Sequence, residues 1–244
     1  MIAILAALET ELAPLRESVK GASDLELPEC RVTKGLLSEL PVLLVRTGMG
    51  RTRAESAIRV VLERYDVKQV VSMGFAGGLR RELRVGDVVA CDRLLCSAPA
   101  QTGNPWPVLE CADVPIADST RCTCVTSDEL QVDPMEKQAL ASAFNACIVD
   151  MESYWIARTA SVHNVPIHVV RVLSDRLGDR MLPFDEIMTN GGRLRTWATV
   201  RHFVCHPLDL RILGRLAASA PASSRRLSRA VSLLIRAIGT KGSG

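Results

Sequence analysis

The chain has 244 residues, 48% of them apolar and 23% charged, with a net charge of +3. That length buries a core without metal or disulfide staples, and the composition excludes a disordered protein. Eight cysteines lie scattered, several within apolar runs, with no Cys-x-x-Cys pair, so they read as reduced thiols of a cytoplasmic protein.

No uncharged run reaches the roughly 18 residues that a membrane-spanning helix needs. The four histidines, His163, His168, His202 and His206, make no zinc-ligand spacing with the cysteines. No metal and no cofactor is expected.

Ile2-Ala-Ile-Leu-Ala-Ala-Leu reads as a strand buried on both faces; it is too short for an export signal and meets Glu9 and Glu11 at once. Glu9-Thr-Glu11-Leu-Ala-Pro-Leu-Arg then opens a helix whose first-turn acids suit the helix dipole. Val32 to Arg46 alternates as a hairpin, with Leu40-Pro-Val-Leu-Leu-Val as its second arm. In Thr47-Gly48-Met49-Gly50-Arg51, two glycines let the backbone bend close to a ligand, and an amphipathic helix follows from Arg53. Gln69-Val-Val-Ser-Met is another strand, ending in Gly74-Phe75-Ala76-Gly77-Gly78, and Leu83-Arg-Val-Gly86-Asp87-Val-Val comes after it. This glycine cluster is neither a P-loop nor a dinucleotide fingerprint.

From Cys96 to Ala117 the chain is loop-like, with Pro99, Pro105, Pro107 and Pro115. Val125 to Leu130 reads as a strand leaving the core, and Met135 to Asn145 as a helix. A short apolar run then meets Asp150 and Glu152, and a second, β-rich run from Ile167 to Leu173 ends at Ser174 and Asp175. Ligands of α/β sheets collect outside the carboxyl ends of strands, which favours a site there, although an acid at a strand end is equally a helix N-cap. Beyond Asp175, Phe184-Asp-Glu-Ile forms a lid-like segment or anchors the last helix.

From Cys205 onward there are seven Lys or Arg against the single acid Asp209, so this tail carries +6 and the rest of the chain −3. Ala220-Pro-Ala-Ser-Ser reads as a break between two tail helices. In the second, Leu227, Ala230, Val231, Leu234 and Ile238 follow helical spacing, with Arg225, Arg229 and Arg236 on another side. A basic amphipathic helix over 225–238 reads as a membrane-surface or partner-docking element, or as a terminal helix packed on the domain with solvated arginines. Nucleic acid is not an expected partner, because no binding motif or interleaved aromatics accompany the charge.

Met151-Glu152-Ser153 with Arg171-Val-Leu-Ser174-Asp175, and Gly-Phe-Ala-Gly-Gly-Leu with Val-Gly-Asp-Val-Val, resemble the nucleoside phosphorylase and nucleosidase superfamily, on its methylthioadenosine/S-adenosylhomocysteine nucleosidase side. The resemblance implies an α/β fold of three layers, a central mixed twisted sheet flanked by helices, over residues 1–204, with 205–244 as a basic extension. It also implies a homodimer.

The resemblance further implies cleavage of the N-glycosidic bond of a 5′-modified adenine nucleoside. Asp175 would act on the purine at N7, with Ser174 beside it, Glu152 on the ribose hydroxyls and Met151 beneath the sugar. Glu11 would activate water, with Arg171 holding its carboxylate. Gly77, Leu130, Phe184 and Tyr154 fall to the base pocket, and Gly48, Gly50 and Arg51 support it. Trp155 is a further stacking candidate, because Leu130 stands where the family often has an aromatic.

Two departures, Phe75 in place of a small polar residue and Leu130 in place of the aromatic, run against catalysis, while the first loop lacks the phosphorylases' Arg and Ser72 stands where they carry a second. Water is therefore favoured over phosphate, although Arg51 leaves phosphorolysis open. The tail also resembles, loosely, the C-terminal extension of hopanoid-associated phosphorylase-like proteins, which implies a lipid-linked adenosine and a place peripheral to the inner face of the membrane. A protein that binds nucleosides or docks on membranes without catalysis is the rival reading.

Overall fold

The computed structural model describes residues 1–99, 105–116, 119–183 and 209–241. Ten strands form one mixed sheet: β1 (Ile2–Ala6), β2 (Lys20–Glu26), β3 (Arg31–Leu37), β4 (Leu40–Arg46), β5 (Gln69–Gly78), β6 (Val88–Cys96), β7 (Leu109–Glu110), β8 (Thr120–Thr126), β9 (Ile148–Asp150) and β10 (Ile167–Asp175). The described helices are α1 (Glu9–Arg16), α2 (Arg51–Arg64), α3 (Pro134–Phe144), α4 (Ser153–Val162) and α5 (Asp209–Lys241).

The two faces of β1 show why the sheet sits inside three layers. Side chains alternate across a strand, so Ala3 and Leu5 join Ala54, Ile58, Trp155 and Ala160 under α2 and α4. Ile2, Ile4 and Ala6 instead join Leu12 and Leu15 of α1 and Leu227, Val231 and Leu234 of α5. A strand apolar at every position is the expected sequence of a sheet covered on both sides.

β1 pairs in parallel with β4 and β5, and β5 pairs in parallel with β10. Their carboxyl ends therefore open on one side of the sheet, where loops meet ligands. β10 also pairs antiparallel with β6, while β6, β8, β9 and β5 follow one another, so these five strands close into a ring. The β3–β4 hairpin turns through Ser38 and Glu39, both with positive φ (51° and 65°), the geometry of a two-residue turn that matches strand twist.

The tail departs from its sequence reading. Asp209–Lys241 is one helix of 33 residues with Pro221 inside it, not two helices with a break. Proline inside a helix costs about 3 kcal/mol. That cost is outweighed here because Leu227, Val231, Leu234 and Ile235 are buried in the core beyond it, each stabilising by about 1.5–3 kcal/mol, with Ala230 buried beside them. Arg226 donates to the Gly86 carbonyl (3.1 Å) and tethers the same half of the helix. The proposed boundary at 204/205 falls outside the described residues, and α5 shares a core with α1 and the sheet. Among the described residues, no helix is long and apolar enough to cross a membrane.

Candidate functional site

A cavity of about 320 Å³ opens at the carboxyl ends of the parallel strands. Glu11, Glu152 and Asp175 all line it, although they are distant in sequence. Met151, Ser174, Phe75, Gly77 and Leu130 line the same cavity. Phe75 is the aromatic ring on its wall among the described residues.

Glu11 sits in the first turn of α1 and is buried. One carboxylate oxygen accepts the Leu8 backbone N–H (2.7 Å), and the other accepts that of Phe75 (2.8 Å). The second bond ties the first turn of α1 to β5, which a simple helix cap would not do. Burial pushes its pKa up, opposed by these N–H groups and by the Arg171 charge. Glu9, by contrast, faces Arg16 and Arg46 at 3.6 Å on the surface.

The close approach of Glu11 to β5 depends on Gly74. A Cβ there would stand 2.9 Å from the carboxylate oxygen. Gly77 is similarly placed: a Cβ would lie 3.2 Å from an Asp175 oxygen.

Glu152 precedes α4 as its N-cap residue yet makes no capping bond with its side chain. Asp150 takes that role, accepting the Ser153 N–H (3.2 Å). Glu152 accepts instead from the Gly50 N–H (2.7 Å). Gly50 holds φ at 87°, a left-handed conformation that a side chain rarely tolerates, and Gly48 turns likewise at 81°. Burial, then the Asp150 and Glu11 charges, push the Glu152 carboxyl up to about 8.

Asp175 ends β10 after an irregularity in its pairing with β5 between Leu173 and Asp175. Ser174 donates to one of its oxygens (2.6 Å), and Lys137 donates to the other. Burial pushes the carboxyl up, while Lys137 and Ser174 oppose the rise.

Several sequence expectations require correction. Arg171 does not clamp Glu11: its donors go to Asp150 (2.9 Å), Ser72 (2.8 Å), Ser153 (2.7 Å) and the Val170 carbonyl (3.1 Å), and Glu11 is held by backbone instead. Arg171 therefore acts on Glu11 only through its charge.

Tyr154 is not brought to the cavity, because helical geometry turns it to the opposite side from Glu152. Its hydroxyl donates to Pro107 (2.8 Å), and its ring packs edge-on against Trp106 and Trp155. Trp155 is also remote, donating to Asp128 (3.1 Å). Arg51 lies over the Trp155 ring at 3.7 Å and pairs with Glu55 and Asp128, so its charge is spent away from the cavity. Phe184 lies outside the described residues.

Two contributions were not foreseen. Lys137 is buried against Asp175, and the first half of α5 brings Leu213, Leu216, Ala217 and Ala220 to the cavity wall. Neither carries a local signal: Lys137 looks like any surface charge of an amphipathic helix, and small or aliphatic residues in a tail do not announce what they face. No group of three or more His, Cys, Asp or Glu among the described residues could hold a metal ion.

A family model described as the phosphorylase superfamily matches residues 1–109 and 108–198. The chain is 31% identical over 199 residues to a 5′-methylthioadenosine/S-adenosylhomocysteine nucleosidase of Tolumonas auensis, covering 72% of this chain and 86% of that one. Its fold resembles the crystal structure of a 5′-methylthioadenosine/S-adenosylhomocysteine nucleosidase from Neisseria meningitidis in complex with methylthio-immucillin-A, with a TM-score of 0.75 at 17% identity over 97% and 98% of the two chains. It equally resembles the futalosine hydrolase of Helicobacter pylori, with a TM-score of 0.76 at 16% identity over 96% and 97%.

Proposed function

Because the chain belongs to the phosphorylase superfamily, we propose that it is a hydrolase that cleaves the N-glycosidic bond of a 5′-modified adenine nucleoside and releases adenine. The observation that carries this reading is the convergence of Glu11, Glu152 and Asp175 on one cavity.

Asp175, in its acid form, gives its proton to N7 as the bond from the sugar to the base breaks, so adenine leaves uncharged. Glu152 accepts from the ribose hydroxyls and stabilises the positive charge that grows on the ring. Met151 packs beneath the sugar. Glu11 takes a proton from the water whose oxygen joins the anomeric carbon and then sheds it to solvent, from which Asp175 is reprotonated.

Water is favoured over phosphate on charge. A phosphate ion needs converging cationic donors, yet Lys137 is the one cation lining the cavity among the described residues, and it is bound to Asp175. Glu11 would repel the anion. Arg51 is stacked on Trp155 elsewhere.

The 5′ substituent is apolar in this reading, because Met181, Leu213, Leu216, Ala217 and Ala220 form that wall. Residues 205–244 then serve as an extension of the 1–204 domain that shapes the substrate pocket. A lipid-linked adenosine is the larger member of this class. The apolar face of 225–238 is already packed on the domain, so a contact with an anionic membrane surface would run through the exposed Arg211, Arg225 and Arg229. A homodimer, cytoplasmic or at the inner face of the membrane, completes the proposal.

Adenine release from a panel of 5′-substituted adenosines, one of them lipidated, tests the reading with and without phosphate. Equal rates in both, with a free sugar hydroxyl as product, are expected. Phosphate-dependent release of a sugar 1-phosphate would make it a phosphorylase, and binding without release would make it a non-catalytic receptor. Leu216→Arg is expected to slow long-chain substrates more than the methylthio one, read as a rise in KM. Gly74→Ala is expected to displace the Glu11 carboxylate and lower kcat by about tenfold or more, since a misplacement near 1 Å costs up to ~10²-fold.

A further inference from the structure

On α3, the buried residue is a lysine: Lys137 is fully enclosed while its helix neighbours keep some exposure. Burying an ammonium is costly unless its charge and all its protons are satisfied. Here they are. Nζ donates to Asp175, to the Arg176 carbonyl (3.1 Å) and to the Asp179 carbonyl (2.8 Å), which uses all three N–H groups.

The turn after β10 is folded to present those carbonyls. The Asp179 side chain accepts the Arg176 N–H (3.0 Å) and pairs with Arg215 of α5 (3.1 Å). The site thus places a fixed cation behind the carboxyl that must carry a proton.

We propose that Lys137 is a positioning residue that acts through Asp175, its charge setting the pH at which that carboxyl holds the proton it gives to the base. The proposal rests on the acid role of Asp175 in the hydrolase reading. A carboxyl at this burial with no cation would keep its proton too tightly to be a good donor. With Lys137 in contact and Ser174 donating to the other oxygen, the anion left after transfer is stabilised.

The other charged groups facing Asp175 work the opposite way. Asp179 raises its proton affinity but is itself paired with Arg215. Glu11 and Glu152 share the cavity, as does Glu129 at its margin. Lys137 is therefore the cation that decides the balance.

The test is the pH profile of kcat/KM for adenine release in the full chain and in Lys137→Met, Lys137→Arg and Asp175→Asn. Removing the charge is expected to move the alkaline limb upward by about 1–3 pH units, the usual effect of an opposite charge at contact, and to lower the plateau. Lys137→Arg keeps the charge and should leave the limb near its original place while kcat falls through altered geometry. An unmoved limb in Lys137→Met, with only a lower plateau, overturns the proposal and leaves a structural lysine.

Asp175→Asn separates the two readings. Wild-type rates in that variant overturn the acid role itself, whatever Lys137 does. If Lys137→Met does not fold, Lys137→Gln, which removes the charge but keeps two donors, takes its place, with the same upward move of the alkaline limb expected and an unmoved limb overturning the proposal.

Discussion

Replacing Glu11 by Gln is expected to lower kcat for adenine release by about 10²–10⁴-fold, the usual loss on removing a general base, with KM little changed. The carboxylate is held by two backbone N–H groups, from Leu8 and Phe75, one on each oxygen. An amide has one acceptor oxygen, so Gln faces one of those N–H groups with its own NH2. That mismatch costs about 1–3 kcal/mol of stability, too little to unfold a domain of this size. Steady-state kinetics with thermal unfolding on the same preparation separates the two effects.

The pH dependence has a definite sign. Burial raises the Glu11 pKa, so its base form, and with it kcat/KM, is lost as pH falls through that raised value. A wild-type rate in Glu11→Gln would remove Glu11 from the chemistry.

Glu152→Gln is expected to lower kcat strongly while making the protein more stable at neutral pH. In the folded chain this carboxyl is pushed up to about 8 from an ordinary 4.5. Between those two values the native state holds a proton that the unfolded chain has released. The contribution of this group to stability is therefore greatest at or below pH 4.5 and falls as pH rises toward 8.

Gln accepts the Gly50 N–H as Glu does but has nothing to ionise, so the variant escapes that loss. Thermal unfolding from pH 4.5 to pH 8 should show a gap that opens with pH, up to a few kcal/mol. A gap of the opposite sign, or none, would mean that Glu152 is ionised in the empty cavity. The kinetic loss has a separate cause: Glu152 can give up its proton and face the cationic sugar as an anion, whereas an amide cannot.

Much of this was legible in the sequence because the signals were local. The unbroken apolar run Ile2–Ala6 and the β-rich run Ile167–Leu173 gave buried strands, and the helix expected over Met135–Asn145 is α3, Pro134–Phe144, which the structure caps with Asp133 and Glu136. β2 (Lys20–Glu26) was not legible, since every residue of this edge strand is exposed and no apolar alternation marks it.

The break placed at Pro221 followed a sound local rule that packing overrode. Tyr154 and Arg171 failed for a geometric reason. Adjacency to Glu152 puts Tyr154 on the far side of a helix, and the partner of a buried arginine depends on which of several acids the sheet brings within reach. Lys137 shows the same limit, because its meaning lies in a contact with a residue 38 positions away.

The ring made by β5, β9, β8, β6 and β10 carries Glu152 at the end of one member and Asp175 at the end of another. A closed circuit of hydrogen bonds has no loose margin at which one strand can peel from the next, so the spacing between the acids proposed for sugar and base rests on a framework that resists deformation. Glu11 and the α5 wall ride on helices outside that circuit. Accommodating a bulkier guest therefore falls to the helices, and substrate range can drift in evolution by altering α5 while the spacing of those two acids stays as it was.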